Sequence, residues 1–396
     1  MKVVHTGFDG IDLALRTTVP IELVDFLEEG KATAQELVSD VWGTYAGLDI
    51  QSGQSGKRGG YAFTFRIYEF GAVWFAKKPK ASDPWGLYVS IGSRELALNG
   101  LYKTRQKLDA LLTRLGFRIP HDGISINRVD FAVDILAPGF CLDPDAFVFH
   151  SRANRKAIAE VETLEMNGRS GRTTSVTIGK MPGRQVIVYD KREEVLKRRK
   201  REWPLIWNAT LQAAGLAPLD LCDRATSQVW RVELRLGKDA LRNRKDIRGW
   251  GSLHEHLQAE MDQLAEDMTL TVPSTDSNRS RWPLHPIWPI AQETVATRLF
   301  EHENTVPPEA VREIDLREKQ LDLLKLITAN SVTLAYLEGQ GPDGFEYFTE
   351  TLPDLIFGYL DQHPRGIEER FQGAATKYGG IVAKSAESVN SLRARV

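Results

Sequence analysis

The sequence predicts an α+β fold, in which an antiparallel sheet carries helices on one face and an all-helical C-terminal domain follows. Stretches that alternate apolar and polar residues, typical of half-buried strands, recur between residues 8 and 236. Amphipathic helical stretches interrupt these strands instead of alternating regularly with them, which favours antiparallel pairing. From residue 251 onward helical periodicity replaces the strand pattern. We therefore predict two domains, 1–250 and 251–396.

The first elements are predicted from periodicity and turn residues. Residues 8–19 alternate as a strand does, and residues 21–37 carry apolar side chains at helical spacing. The Gly/Ser/Lys loop at 51–60 precedes several short strands and lacks the GK[ST] ending of a phosphate-binding loop, so we interpret it as a flexible hairpin tip. Residues 93–115 predict a second amphipathic helix.

Three later stretches complete the predicted sheet. Residues 124–135 read ISINRVDFAVDI, residues 173–189 read as strand, tight turn and strand, and residues 229–236 predict one more strand. Between the last two, residues 190–215 predict a strongly basic helix. Because side chains at i and i+2 point to the same face of a strand, several charged residues are expected on one face of this sheet.

The composition limits the class of protein. A chain of 396 residues with 42% apolar residues is long enough for two or three domains and a large core. The sequence has no run of eighteen apolar residues and no signal-peptide pattern, so we expect a cytoplasmic protein without membrane contact. The two cysteines, Cys141 and Cys222, exclude a cysteine-built zinc site, and we expect both to be small buried hydrophobes.

Charge is distributed unevenly along the chain. The net charge of −2 combines a net charge of +10 over residues 151–250 with −10 over residues 251–396. A basic segment predicts a polyanionic partner such as DNA. We expect non-specific phosphate contacts from the basic run, although a solvated helix face is the alternative. This run consists of Lys197, Arg198, Arg199, Lys200 and Arg201.

Three carboxylates are predicted to share the charged face of the sheet: Asp130 and Asp134 in RVDFAVD, and Glu233 in WRVELR. Oxygen ligands of this kind suit Mg²⁺ or Mn²⁺, so they form a candidate metal site. Arginines beside them would offset charge on a bound DNA phosphate. The alternative, which can coexist with metal binding, is salt bridging between the carboxylates and these arginines. The arginines are Arg128, Arg231 and Arg235.

Tyr189 is the best candidate in the chain for a nucleophile acting on a DNA phosphodiester. A tyrosine can attack if its proton is removed or if nearby cations lower its pKa. Lys191 would share a strand face with Tyr189 if the strand continued that far, and Arg184 lies just upstream. The alternative is a tyrosine that packs its ring and exposes its hydroxyl.

The stretch TTSVTIGKMPGRQVIVYDKREEV at 173–195, with RVDFAVDI upstream and WRVELRL downstream, resembles the rolling-circle replication initiation factor family. This family comprises the trans-acting Rep proteins of plasmids, phages and integrative elements and related conjugative relaxases. The opening FDGIDLAL is similar to the first strand of the family, and the resemblance covers roughly residues 8–240. No counterpart is identified for the chain after residue 250.

The resemblance implies a metal-dependent, site-specific DNA endonuclease and strand transferase that initiates rolling-circle replication or mobilisation. Its tyrosine would attach to the 5′ phosphate and leave a 3′ hydroxyl for a polymerase. By position, Tyr189 takes the role of the tyrosine, and Asp130, Asp134 and Glu233 that of the acidic set. The partner would be single-stranded or hairpin DNA at a replication origin, together with a host helicase and polymerase.

The sequence leaves the metal ligands and the class of function open. The sequence has no His-hydrophobe-His motif, unlike the better-known rolling-circle nucleases, which leaves the exact metal ligands undetermined. Two other functions also fit: a non-catalytic DNA-binding replication-control protein on the same fold, and a metal-dependent nuclease that uses water. A homodimer is one alternative for the oligomeric state.

Overall fold

The computed structural model describes residues 1–80, 82–149, 164–169, 171–302, 306–362 and 366–382. Its strands are β1 (Lys2–Leu15), β2 (Val41–Tyr45), β3 (Leu48–Ser52), β4 (Phe63–Ile67), β5 (Phe70–Ala76), β6 (Leu87–Ile91), β7 (Ile124–Leu136), β8 (Phe147–Phe149), β9 (Leu164–Arg169), β10 (Arg172–Gly179), β11 (Arg184–Asp190), β12 (Val229–Gly237) and β13 (Met268–Leu270).

The helices of the described residues are α1 (Ile21–Glu36), α2 (Ser93–Arg114), α3 (Lys191–Arg198), α4 (Glu202–Ala213), α5 (Lys238–Lys245), α6 (Trp250–Asp267), α7 (Ile287–Arg298), α8 (Pro308–Leu337), α9 (Phe345–Gln362) and α10 (Ile367–Val382).

Eleven strands form one antiparallel sheet in the order β2-β3-β4-β5-β6-β1-β7-β12-β11-β10-β9. The strands β8 and β13 pair separately. The predicted fold class is therefore confirmed: a large antiparallel sheet with several helices, followed by a helical C-terminal region. The predicted strand at 124–135 and the predicted hairpin correspond to β7 and to β10 with β11.

The central strands have two faces of different chemistry. On one face, Phe131, Val133 and Val232 are almost fully buried and belong to the main hydrophobic core. On the other face, the register places Tyr189 of β11 opposite Arg231 of β12. We call this second side the polar face. Because opposed residues in antiparallel strands point the same way, register alone decides which side chains meet on it.

Helices α6 and α7 pack on the apolar face. Leu257 and Leu264 of α6 and Trp288 of α7 are fully buried in the same core cluster as the central strands. Helix α4 instead lies over the polar face, where its Trp203 packs edge-on against His5 of β1, with ring centroids 5.0 Å apart. The domain boundary near residue 250 stays a prediction, but residues on both sides of it share one core.

Three expectations from the sequence are corrected. The basic segment 190–215 forms two helices, α3 and α4, because Arg199 takes a left-handed conformation (φ 52°) between them. The strand predicted at 8–19 runs from Lys2 to Leu15. Cys141 and Cys222 are both exposed thiols rather than buried hydrophobes.

The C-terminal helices α8 to α10 leave many apolar side chains exposed. Ion pairs between described residues connect α8 to the rest of the chain. Arg94 Nη2 lies 2.5 Å from Asp315 Oδ2, and Arg199 Nη1 lies 3.0 Å from Asp322 Oδ2. No helix within the described ranges is long and apolar enough to cross a bilayer.

Candidate active site

Four adjacent strands bring four polar side chains into one row on the polar face. Tyr189 lies opposite Arg231, Arg231 opposite Asp134 of β7, and Asp134 opposite His5 of β1. The residues come from four separate stretches of sequence. Antiparallel pairing of β11, β12, β7 and β1 therefore assembles the candidate site.

Arg231 is the electrostatic centre of this row, and its side chain is fully buried. Its Nε and Nη2 donate to the two carboxylate oxygens of Asp134 at 2.5 and 2.8 Å, and its Nη1 donates to Asp9. The guanidinium also lies 4.2 Å from the ring centroid of Trp203. Trp207 Nε1 donates to Asp134 Oδ2 at 2.9 Å. The two parallel hydrogen bonds from Arg231 to Asp134 are the bidentate arrangement that makes arginine-carboxylate pairs strong.

Lys191 reaches back from the first residue of α3 to the hydroxyl of Tyr189. Asp190 caps this helix by accepting from the backbone N–H of Glu193 at 2.9 Å, which turns the chain just after the strand. Lys191 Nζ lies 3.4 Å from Tyr189 Oη and 2.7 Å from Glu194 Oε2. The sequence predicts that these two side chains meet along one strand. They meet through a strand-to-helix turn instead.

Burial dominates the ionisation of the tyrosine. The pKa of Tyr189 is raised well above its ordinary value, mainly by burial, although the positive charge of Arg231 opposes this rise. The sequence suggests that nearby cations lower that pKa, but in this structure their effect is smaller than that of burial. Burial and Arg231 both lower the pKa of Lys191. The carboxylates of Asp9, Asp134 and Glu194 oppose this decrease in the pKa of Lys191.

A second group on the polar face holds two carboxylates and two arginines. Asp130 accepts from Arg128 Nε at 2.9 Å and Arg128 Nη2 at 2.5 Å, while Glu233 Oε1 accepts from Arg235 Nε at 2.6 Å. Burial and the nearby charge of Glu233 raise the pKa of Asp130 to about 7, although Arg128 lowers it. We call these four residues the carboxylate–arginine cluster.

The predicted metal set is only partly assembled. Both oxygens of Asp134 are bound by Arg231 and Trp207, so this residue does not fit a metal ligand. Across the described ranges, no group of three or more His, Cys, Asp or Glu side chains is placed to hold a metal ion. Glu233 fits better, because its buried Oε2 has no hydrogen-bond partner among the described residues, whereas both oxygens of Asp130 accept from Arg128.

Arg184 does not lie beside the tyrosine. It is five residues before Tyr189 on the same strand, so its side chain points to the opposite face. There it is 3% exposed, and its Nη1 donates to Asp267 Oδ2 at 2.7 Å. The expectation that Arg184 assists Tyr189 is therefore corrected, because the buried ion pair with α6 holds it on the apolar face.

The residues predicted to contact DNA differ in accessibility. The side chains of Arg128 and Arg235 are 33% and 25% exposed, whereas buried Arg231 cannot reach a phosphate in this conformation. In the basic run, Lys200 Nζ donates to Glu194 Oε1 at 2.7 Å. The other members of the run are exposed: Lys197, Arg198, Arg199 and Arg201.

Several site residues were not found from the sequence. Asp9 and His5 lie on β1 and contact the row around Arg231, and Glu194 anchors Lys191. Burial lowers the pKa of His5 to about 4, so it is neutral in the folded protein at pH 7. The alternation of β1 indicates a strand, but only its pairing with β7 shows that these side chains face Asp134.

Comparisons with known proteins find similarity among solved structures. No protein-family model matches the sequence, and no curated protein matches it. Among solved structures, the chain is similar to a rolling circle replication initiator protein from Geobacillus stearothermophilus. The two chains are 15% identical, with a TM-score of 0.41, and the match covers 75% of this chain and 98% of that chain.

Proposed function

We propose that this chain nicks one strand of DNA at a replication origin and forms a covalent tyrosine-phosphate intermediate through Tyr189. The observation that carries the proposal is the 3.4 Å contact between Tyr189 Oη and Lys191 Nζ on a face that also holds Arg231. This arrangement joins a nucleophile, a proton acceptor and a fixed positive charge. The motif resemblance supplies the substrate class.

The proposed step transfers a phosphoryl group from DNA to the protein. Tyr189 Oη attacks the phosphorus, so an oxygen–phosphorus bond forms to tyrosine and the bond to the 3′ oxygen of the preceding nucleotide breaks. Lys191, after losing its own proton to solvent, takes the phenolic proton with its free amine, and Glu194 then holds the resulting ammonium. The departing 3′ oxygen takes a proton from water. The products are a 5′-phosphotyrosine and a free 3′ hydroxyl.

Asp130 and Glu233 are the residues that would hold a divalent cation, Mg²⁺ or Mn²⁺. Such a cation, when bound, would offset negative charge on the phosphate oxygens. Burial raises the pKa of Asp130 to about 7, although the guanidinium of Arg128 opposes this rise. Arg128 and Arg235 neutralise both carboxylates when no cation is bound.

Access to the tyrosine is part of the proposal. Tyr189 is half-buried, and the Lys191 beside it lies under Trp203 of α4, whose ring centroid is 4.5 Å from Lys191 Nζ. The phosphodiester therefore has to displace part of this cover. The exposed basic side chains Lys197 and Arg198 on α3 would attract the DNA backbone to that position.

The test uses supercoiled DNA that contains the gene of this chain and its flanking sequence. We expect relaxed product and a DNA–protein species that survives denaturing electrophoresis. Tyr189→Phe should bind the DNA but form no adduct. Tyr102→Phe is the matched control because its ring is exposed on α2, and it should form the adduct as the unmodified chain does. An adduct that persists in Tyr189→Phe contradicts the assignment.

Two other functions predict different results in the same assay. A DNA-binding replication-control protein binds without cleavage in either Mg²⁺ or Mn²⁺, and the raised pKa of Tyr189 is the observation in its favour. A water-using nuclease cleaves without an adduct and depends little on Tyr189. A host helicase and polymerase acting at the 3′ end, and a homodimer, belong to the proposal as partners.

A further inference from the structure

Three aromatic rings form a cluster far from Tyr189 on the polar face. Phe75 of β5, Tyr88 of β6 and Tyr61, which precedes β4, are in mutual contact. Their ring centroids lie 5.8 to 6.3 Å apart, and the interplanar angles are 61° to 64°. All three side chains are only half-buried. We call them the ring cluster.

Two lysines lie against these rings. Lys57 Nζ is 3.8 Å from the ring centroid of Tyr88 and 4.5 Å from that of Phe75, and Lys77 Nζ is 4.6 Å from that of Tyr61. Lys57 is exposed and makes no ion pair with a described residue. The Gly/Ser/Lys loop connects the paired strands β3 and β4 as the tip of a hairpin, and a bridge between Lys57 and Tyr61 holds it. The function proposed above makes no use of this loop.

The ring cluster is continuous with the candidate active site. Tyr88 and Ser90 are two residues apart on β6 and share a face, and Ser90 Oγ donates to Asp12 Oδ1 at 2.6 Å. Asp12 lies opposite Arg128 of the carboxylate–arginine cluster. The polar face therefore runs without a change of side from the rings through β1, β7 and β12 to Tyr189.

We propose that the ring cluster and Lys57 bind single-stranded DNA that extends from the cleavage position at Tyr189. This inference rests on the proposed function and adds the path of the strand. Rings with half-exposed surfaces stack on bases of any sequence, and Lys57, which contacts two of these rings and makes no ion pair with a described residue, meets the phosphates. Duplex DNA does not fit, because its base faces are covered by their neighbours in the stack.

The length of the path follows from the sheet. Four strand spacings separate β6 from β11, which at ~4.8 Å each is about 19 Å across the sheet. Along the strands, Tyr88 is level with Ser125 of β7 and Tyr189 is level with Asp134, nine residues further on, which adds about 30 Å at ~3.3 Å per residue. The rings therefore lie about 35 Å from Tyr189, and at about 3.4 Å per nucleotide of a stacked single strand about ten nucleotides would cover this distance. Oligonucleotides shorter than this should gain nothing from the ring cluster.

The experiment measures binding of fluorescent single-stranded oligonucleotides by anisotropy, without any cleavage step. Oligonucleotides from the nicked region carry extensions of 0 to 12 nucleotides on either the 5′ or the 3′ side. We expect Phe75→Leu and Lys57→Met each to weaken binding of a long extension on one side by about fivefold or more. Tyr102→Leu and Lys103→Met are matched controls on exposed parts of α2, and they should bind as the unmodified chain does.

Distinct results overturn the inference. If Phe75→Leu and Lys57→Met bind as tightly as the unmodified chain at every extension length, the ring cluster does not bind the strand. A loss of binding that is independent of extension length would refute the inference as well. If Phe75→Leu fails to fold, exposed Lys57→Met decides the question. Failure of the proposed function gives a different result. The unmodified chain then forms no adduct, whereas binding that depends on the ring cluster can still be measured.

Discussion

The buried arginine of the site gives the sharpest stability prediction. Arg231→Met keeps much of the side-chain volume against Trp203 but removes the charge that Asp134 and Asp9 share. Asp134 is fully buried and would keep only the hydrogen bond from Trp207. Breaking one side of a buried ion pair costs about 3–5 kcal/mol because the remaining charge is left uncompensated. We therefore expect Arg231→Met to lose about that much free energy of unfolding.

The assay is urea unfolding followed by tryptophan fluorescence at several pH values. Arg248→Met is the matched control, because Arg248 Nε pairs with Asp246 at 2.6 Å but both side chains are more than half exposed. An exposed pair is worth about 1 kcal/mol or less. Adding Asp134→Asn to Arg231→Met should recover part of the loss. The deficit should also shrink as the pH falls, because protonation neutralises the orphaned carboxylates.

A cost for Arg231→Met no larger than that for Arg248→Met would refute the reasoning. So would a deficit that is unchanged or increased by Asp134→Asn. Either result would mean that the buried charge network contributes little to holding the four strands in register.

Three further predictions concern the site. Lys191→Met should slow adduct formation by about 100-fold or more, whereas exposed Lys197→Met on the same helix should leave the rate of the chemical step in single-turnover assays within a few fold. Glu233→Gln should raise the Mg²⁺ or Mn²⁺ concentration needed for half-maximal nicking, and an unchanged titration would favour a purely salt-bridging role. The pKa of His5 is about 4 in the folded chain and 6.5 in the unfolded chain. Between these two pH values, His5 is protonated in the unfolded chain but not in the folded one. Its contribution to stability is therefore complete above pH 6.5 and falls by about 3 kcal/mol as the pH drops to 4. His5→Phe should lack this part of the acid-side slope in urea unfolding, and a slope equal to that of the unmodified chain would contradict it.

The strands that carry the site could be predicted because their residues alternate cleanly. β7, β11 and β12 each place apolar side chains at every second position, so their existence and their charged faces follow from the sequence. The alternation of side chains along β11 also explains why the expectation for Arg184 is wrong. Arg184 is five residues from Tyr189, and an odd separation in a strand places two side chains on opposite faces. This could have been predicted from the sequence.

The rest of the site depends on pairing between distant strands. Nothing local in the sequence indicates that β1 lies beside β7, and this neighbour relation brings Asp9 and His5 to the row around Arg231. The division of the basic segment into two helices at Arg199 could not be predicted from the local sequence either. Arg199 has a left-handed conformation, but no glycine at this position indicates it. Asp134 suits a metal ligand by residue type, but packing against α4 commits it to Arg231 and Trp207.

The most direct test of the central claim is to find the amino acid that carries the DNA. After incubation with supercoiled DNA, the adduct is digested with nuclease and trypsin, and its peptides are analysed by mass spectrometry. Cleavage after Arg184 and after Lys191 releases residues 185–191, QVIVYDK, in which Tyr189 is the sole hydroxyl-bearing side chain. We predict a nucleotide-modified form of this peptide. A modified peptide from elsewhere in the chain, or nicked DNA with no modified peptide, would contradict the assignment of Tyr189 as the nucleophile.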